Sequence, residues 1–320
     1  MSRFDVAMFG AGRIGAVHAR NVAEHPGSRL KYVVDPVDAA ARALAERNGA
    51  RAAPEDAVWS DPEVAAIVVG SATSAHAELI EKGVRAGKAV FCEKPIDLSL
   101  ARVDAVLKVV EACGRPLFMA FNRRFDPGIL EMKRRIVAGD VGDVELVTVV
   151  SKDPDGGLPI EYLKTSGGMF RDMTIHDFDM ARYLAGDIAA VQAVGANLVD
   201  PAIGALGDID TCAITLRARS GALVQINNSR RSVYGYDQRL EVFGAGGMLQ
   251  AGNRCATTVE ASSAAHTAAR DPVLDFFIER YTEAYRAELD AFVAAVEAGR
   301  PVSPDFADGV AALELAVAAG

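Results

Sequence analysis

Basic residues are in deficit: 34 lysines and arginines stand against 43 aspartates and glutamates, giving a formal charge of −9. Phosphate backbones and anionic bilayers are gripped by an excess of Lys and Arg, so nucleic acid and membrane surfaces are not expected partners. Long apolar runs are missing as well, and none approaches the roughly 18 to 20 residues of a membrane span. Cysteine is scarce. Cys92, Cys113, Cys212 and Cys255 are far apart with no C-x-x-C pair, which suits reduced thiols and neither a disulfide framework nor a zinc site. His18, His25, His76 and His266 are scattered without ligand spacing, so no metal is expected. The opening MSRFDVAMFGAG runs straight into a strand, with no basic n-region and no separate apolar h-region. A cytoplasmic enzyme is the expectation.

What the chain does have is core-forming material. Half of its 320 residues are apolar, enough for two domains. Over the first 120 residues short β-type runs alternate with helical ones: FDVAMF (4–9), LKYVV (30–34) with a helix over 37–48, AAIVVG (65–70) with one over 75–86, KAVFCE (88–93) with one over 99–113, and RPLFMAF (115–121). Near-continuous apolar strands joined by helices predict a parallel, doubly wound Rossmann sheet over 1–121. The rhythm then changes. A helix over 127–138, a strand VELVTVVSK (144–152), a Pro- and Gly-rich loop (153–159) and one amphipathic helix over 167–186 lead into successive strands from 189 to 260. The turns ARSGA and GAGGM read as hairpins, and the tail 275–298 as one long helix. The expectation for 122–320 is an α/β domain with a large, mostly antiparallel open sheet, one face free for a partner subunit.

Gly10-Ala11-Gly12-Arg13-Ile14-Gly15 follows the first strand and opens a helix. Gly10 permits the tight turn, Gly12 lets the backbone approach a pyrophosphate, and Gly15 allows close helix–strand packing. The helix start supplies N–H donors and a positive dipole end. Asp35 ends the second strand, 20 residues beyond Gly15. A carboxylate there accepts from the adenosine ribose and repels a 2′-phosphate, which predicts NAD over NADP; the alternative is that Asp35 caps the next helix. Glu93-Lys94-Pro95 follows the fifth strand, at the sheet edge where ligands of open α/β folds bind. Lys94 there can hydrogen-bond a substrate oxygen, or it is a solvated turn lysine. Asp172 and His176, four apart in the predicted helix 167–186, share one face. A carboxylate beside an imidazole makes a general base for an alcohol, unless the two form a surface pair. Asp177 and Asp179 fall on other faces of that helix.

With these motifs in place the chain resembles the glucose–fructose oxidoreductase/inositol dehydrogenase (Gfo/Idh/MocA) family essentially end to end. The resemblance is carried by Gly10–Gly15 with His18, Glu93-Lys94-Pro95, Phe121 to Asp126, and Gly167 through His176. It implies a catalytic Lys94 with the Asp172–His176 pair, contacts from Glu93, Lys94, Arg13 and Ile14 to NAD, and dimers or tetramers joined through the C-terminal sheet. Asn122–Asp126, Gly167–Asp179, Asn228–Arg231 and Tyr234–Asp237 resemble the inositol 2-dehydrogenase branch in particular. That branch implies oxidation of myo-inositol to 2-keto-myo-inositol, with Arg123, Asp153 and Tyr236 lining the polyol pocket beside Lys94, Asp172 and His176. Ser151 stands where some members carry histidine, which leaves another inositol isomer or an aldose as the alternative. A non-catalytic NAD-binding regulator is a third reading, against which the joint presence of Lys94, Asp172 and His176 weighs.

Overall fold

The computed structural model describes residues 4–154 and 158–320, so part of the loop expected over 153–159 lies outside the described residues. Two compact units emerge: the chain through Phe125 together with Glu283–Glu314, and Asp126–Thr282 together with Leu315–Gly320.

The first unit contains β1 (Phe4–Phe9), α1 (Arg13–Glu24), β2 (Ser28–Val34), α2 (Asp38–Arg47), β3 (Arg51–Ala52) and α3 (Glu55–Ser60). It continues with β4 (Val64–Val69), α4 (His76–Arg85), β5 (Ala89–Glu93), α5 (Leu100–Cys113) and β6 (Leu117–Ala120). All six strands pair in parallel in the order β3-β2-β1-β4-β5-β6. This is a doubly wound Rossmann sheet, with the strand order reversing between β1 and β4. Both faces are covered, which is why Val6, Met8, Val68 and Phe91 are all buried whichever way they point.

The tail helix expected within the second domain completes this first core instead. Phe292 meets Phe4, Phe91 and Phe118 at ring-centroid distances of 6.5, 5.6 and 5.8 Å. Burying a phenylalanine of this kind stabilises by about 1.5 to 3 kcal/mol, enough to draw the chain back across the sequence. Arg124, in a short 3-10 turn after β6, grips Asp308 through two bonds of 2.9 and 3.1 Å.

The second unit begins with α6 (Pro127–Val137), capped by Asp126, which accepts from Gly128 N at 3.0 Å. Then come β7 (Val144–Lys152), α7 (Ile160–Ser166), α8 (Met169–Asp172), α9 (Ile175–Ala185), β8 (Ile188–Ala196) and α10 (Pro201–Gly204). Next are β9 (Thr211–Ala218), β10 (Leu223–Ser229), β11 (Asp237–Gly244), β12 (Gly247–Ala251) and α11 (Phe277–Arg280). The two last helices, α12 (Thr282–Glu297) and α13 (Phe306–Ala319), follow in the chain. The sheet runs β12-β11-β7-β10-β9-β8, antiparallel except where β7 and β10 pair in parallel. Val147, Val149, Ile214, Leu216, Val224, Ile226, Leu240 and Val242 are buried with α9 on one face. Leu223, Val194, Phe243 and Met248 are exposed on the other.

The helix expected over 167–186 is two helices. Thr174 N reaches back five residues to Met169 O at 3.0 Å, and Asp177 N reaches back only three, to Thr174 O at 2.8 Å. The winding widens and then tightens, so the four-residue spacing of Asp172 and His176 crosses a break rather than one turn of continuous helix.

Candidate active site

In the first unit the glycine turn is built for close backbone approach. Gly10 has φ of 104°, and a Cβ there would stand 2.6 Å from Gly70 O. A Cβ on Gly15 would meet Gly10 O at 2.1 Å, so both positions require glycine. At Gly12 a Cβ would meet nothing within 4 Å, and this residue starts α1 with no side-chain cap. The first-turn N–H groups of α1 are therefore offered to a ligand rather than to a cap, which fits a pyrophosphate. Arg13 is exposed and Ile14 half-buried beside it.

Asp35 is tied into that turn. Its Oδ2 accepts from Ala11 N at 2.7 Å and its Oδ1 from Val37 N at 2.8 Å. Asp35 does not cap α2, whose N-cap is Val37 with no side-chain cap bond; it fixes the phosphate turn, and a carboxylate has further acceptor sites to offer a ribose.

At the end of β5, His18 Nε2 lies 2.8 Å from Glu93 Oε1, a buried pair with the ring edge-on to Phe91 and Tyr285. Lys94 follows, half-buried. His76 is fully buried and sits 2.7 Å from Pro95 O and 3.2 Å from Ser71 O. Burial pushes its pKa down, against the two carbonyl contacts, which favour the protonated ring. Arg123 is buried in the turn after β6.

In the second unit Asp172 closes α8. Its Oδ1 accepts from Tyr162 Oη at 2.7 Å and its Oδ2 from Arg230 Nη2 at 3.2 Å. Arg230 Nη1 lies 3.6 Å from Asp153 Oδ2, so Asp153 and Asp172 flank one guanidinium. His176 is half-buried at the start of α9. Asp177 and Asp179, expected on other faces of the helix than Asp172 and His176, are buried: Asn228 Nδ2 donates to Asp177 at 2.8 Å, and Thr174 donates to Asn228 Oδ1 at 2.7 Å. Ser151 is fully buried and donates to Gln238 Oε1 at 2.8 Å. Tyr236 is buried, its ring edge-on to Tyr281. Thr174, Asn228 and Arg230 lie in segments that carry the family resemblance but take no role in it, and Tyr162 lies in none. Only the offset between β7 and β10, which no local pattern encodes, puts Arg230 next to Asp153.

Among the described residues no group of three or more His, Cys, Asp or Glu could hold a metal ion, and no helix is long and apolar enough to cross a membrane. Burial pushes the Cys212 thiol up to about 12 and Cys92 well above its ordinary value, so neither is a nucleophile.

Residues 4–121 match the oxidoreductase family with NAD-binding Rossmann fold, and residues 129–250 the GFO/IDH/MocA C-terminal domain. An inositol 2-dehydrogenase of Rhizobium meliloti is 48% identical, over 98% of this chain and 94% of its own length. A myo-inositol 2-dehydrogenase of Thermotoga maritima is 42% identical over the same shares. The scyllo-inositol 2-dehydrogenase (NAD(+)) of Bacillus subtilis is 36% identical over 98% of this chain and 92% of its own. Among solved structures, a myo-inositol dehydrogenase of Corynebacterium glutamicum superposes with a TM-score of 0.95 at 44% identity, covering 99% and 97% of the two chains. The scyllo-inositol dehydrogenase of Lactobacillus casei with bound NAD(H) and scyllo-inositol does so at 0.92 and 27%, covering 99% and 96%. With a glycine turn shaped for a dinucleotide, a carboxylate at the end of β2 and both family domains matched in order, this chain belongs to the Gfo/Idh/MocA oxidoreductases and is an NAD-dependent enzyme of that family.

Proposed function

We propose that this enzyme oxidises myo-inositol to 2-keto-myo-inositol (scyllo-inosose). The observation that carries the reading is similarity along nearly the whole chain to enzymes named for inositol 2-oxidation. The second unit adds chemical support. Asp153 and Asp172 are acceptors suited to the hydroxyls of an uncharged polyol, which has no acidic or basic group to pair with Arg230.

Bound NAD supplies the hydride acceptor. Gly10, Gly12, Arg13, Ile14, Gly15, Asp35 and Glu93 hold it, and the residues of the chain manage the proton. His176 takes the hydroxyl proton as the C–H bond breaks and the C=O bond forms. Lys94 donates to the same oxygen and stabilises the negative charge it gains. Asp172 is kept in place by Tyr162 and Arg230, and Arg123, Asp153 and Tyr236 position the ring hydroxyls.

A second reading changes the polyol to scyllo-inositol or an aldose. It is favoured by the Bacillus subtilis relative and by Ser151, which, being buried against Gln238, acts on the pocket only through its neighbours. The enzyme works in the cytoplasm, with its four free thiols reduced, as a homo-oligomer joined through the open sheet face.

The test follows NADH absorbance with a panel of inositols and aldoses. Myo-inositol should give the highest kcat/KM. Lys94→Ala should lower kcat by roughly two to four orders of magnitude with NAD affinity little changed. His176→Ala should remove most turnover together with the acid limb of the pH profile. Absence of turnover with every polyol would point to an NAD-binding regulator, and near-normal rates in both variants would remove these residues from the chemistry.

A further inference from the structure

Three features outside the assigned roles stand out: the buried Glu288 on α12, the hollow on the open face of the second sheet, and the guanidinium of Arg230. The last reaches furthest into the chemistry.

β7 and β10 run in parallel with Lys152 opposite Ser229, and Asp153 N continues the ladder to Ser229 O at 2.9 Å. The next residue of each strand path is therefore Asp153 on one side and Arg230 on the other. The Arg230 backbone is anchored by the residue just before β9, its N donating to Asp210 O at 2.8 Å. The side chain is 3% exposed. Nη2 meets Asp172 at 3.2 Å and Nη1 faces Asp153 at 3.6 Å, while Nε and Nη1 make no hydrogen bond among the described residues. A guanidinium this deeply buried and only partly bonded is held by the charge of its two carboxylates. The carboxylates depend on it in turn, because Asp172 is only 7% exposed and Asp153 half-buried, and a cation between two such neighbours favours the ionised form of both.

We propose that Arg230 is a positioning residue that keeps Asp153 and Asp172 ionised together and fixes Asp172 between itself and Tyr162. The other titratable groups of this region are His176 and Asp177 on α9, Tyr162 on α7 and Cys212 on β9. Cys212, with its thiol pushed up to about 12, and Tyr162, a phenol donating to Asp172, carry no charge at neutral pH. Asp177 adds a further negative charge, and Arg230 is a counter-ion that Asp153 and Asp172 share.

The kinetic part of this inference rests on the proposed polyol oxidation; the charge part does not, and the experiment separates them. The titrations of both groups are followed in the unliganded protein labelled with 13C at aspartate carboxyls, with Asp153→Asn and Asp172→Asn for assignment. In Arg230→Gln one of them should move upward by about one to three pH units, and Arg230→Lys should hold both down. In Asp153→Asn/Arg230→Gln, Asp172 should return towards its original titration, because the competing charge is gone. With the polyol that the wild type oxidises best, Arg230→Gln should steepen the acid limb of kcat/KM by adding the raised carboxyl to the His176 ionisation, and Arg230→Lys should restore most of the wild-type profile. A purely structural role would lower activity equally in both variants with the profile in place. Unchanged carboxyl titrations in Arg230→Gln, or a raised one in Arg230→Lys, overturn the inference, and the Lys variant alone decides it where the Gln variant does not fold. Failure of the wild type to oxidise any polyol would sink the substrate reading while leaving the titrations to judge Arg230.

Discussion

Glu288 is a glutamate where the core should have been apolar. It is fully buried, both oxygens lack a hydrogen-bond partner among the described residues, and its neighbours on α12 include Leu289 and Phe292. Burial, with the Glu93 carboxylate adding to it, pushes its pKa well above the ordinary value, so the folded protein holds this proton to higher pH than the unfolded chain does. The unfolded chain releases that proton above about pH 4.5, the ordinary value. From there up to the raised native value the folded state binds more protons than the unfolded one, so stability falls with rising pH by about 1.4 kcal/mol per pH unit. Glu288→Gln copies the neutral form and cannot ionise. Its melting temperature should match the wild type near pH 5 and exceed it increasingly towards about pH 8. A gap that stays constant across that range would mean that Glu288 is ionised and paired. His76 works in the opposite direction: its lowered pKa means that stability is lost as pH falls below about 6.5, where the unfolded imidazole gains a proton that the buried one refuses.

At the scale of elements, the βαβ start is where sequence and structure coincide, and the reason is local. The glycine turn, the apolar strands and Asp35 act on neighbours in the chain, so their spacing is legible. The same tie sharpens the expected cofactor preference. Because Asp35 accepts from Ala11 N, the residue proposed to meet the ribose also shapes the phosphate turn. Asp35→Ala should weaken NAD binding by roughly tenfold to a hundredfold, the loss expected for charge-assisted hydrogen bonds, and should bring NADP closer to NAD. Equilibrium binding of both nucleotides to both proteins measures this, and equal affinity of the wild type for NADP would refute the role. Legibility fails where a tertiary partner decides. GGMFRDMTIHDFDMARYLAG has an unbroken helical pattern, yet Thr174 spends its hydroxyl on Asn228, 54 residues away, and the helix breaks there. The burial of Asp177 was not legible for the same reason: its partner is also Asn228. Arg230 was visible as a residue and invisible as a counter-ion, since Asp153 and Asp172 reach it only through strand pairing and the break between α8 and α9.

For the whole molecule, the linear division at residue 121 missed the return of 283–314 to the first unit, because the pull of Phe292 on Phe91 and Phe118 has no signature along the chain. The open sheet was legible through its alternation, and its outer face remains to be covered. Phe243 on β11 and Met248 on β12 are direct cross-strand partners, 44% and 52% exposed, and Leu223 and Val194 extend the apolar surface along β10 and β8. Apolar side chains in a contiguous group on a six-stranded face are costly to leave in water, and a second copy of this chain presents the same face in return. In a two-fold interface each residue occurs twice, so one substitution places two charges at the seam. Phe243→Glu/Met248→Glu should therefore reduce the wild-type mass, two or four times the 33.7 kDa chain, to that of a single chain by light scattering. The circular dichroism spectrum should stay unchanged, because neither side chain belongs to the buried core of the sheet. A wild type that is already a single chain at micromolar concentration, or a variant of undiminished mass, would show that another surface, or none, joins the subunits.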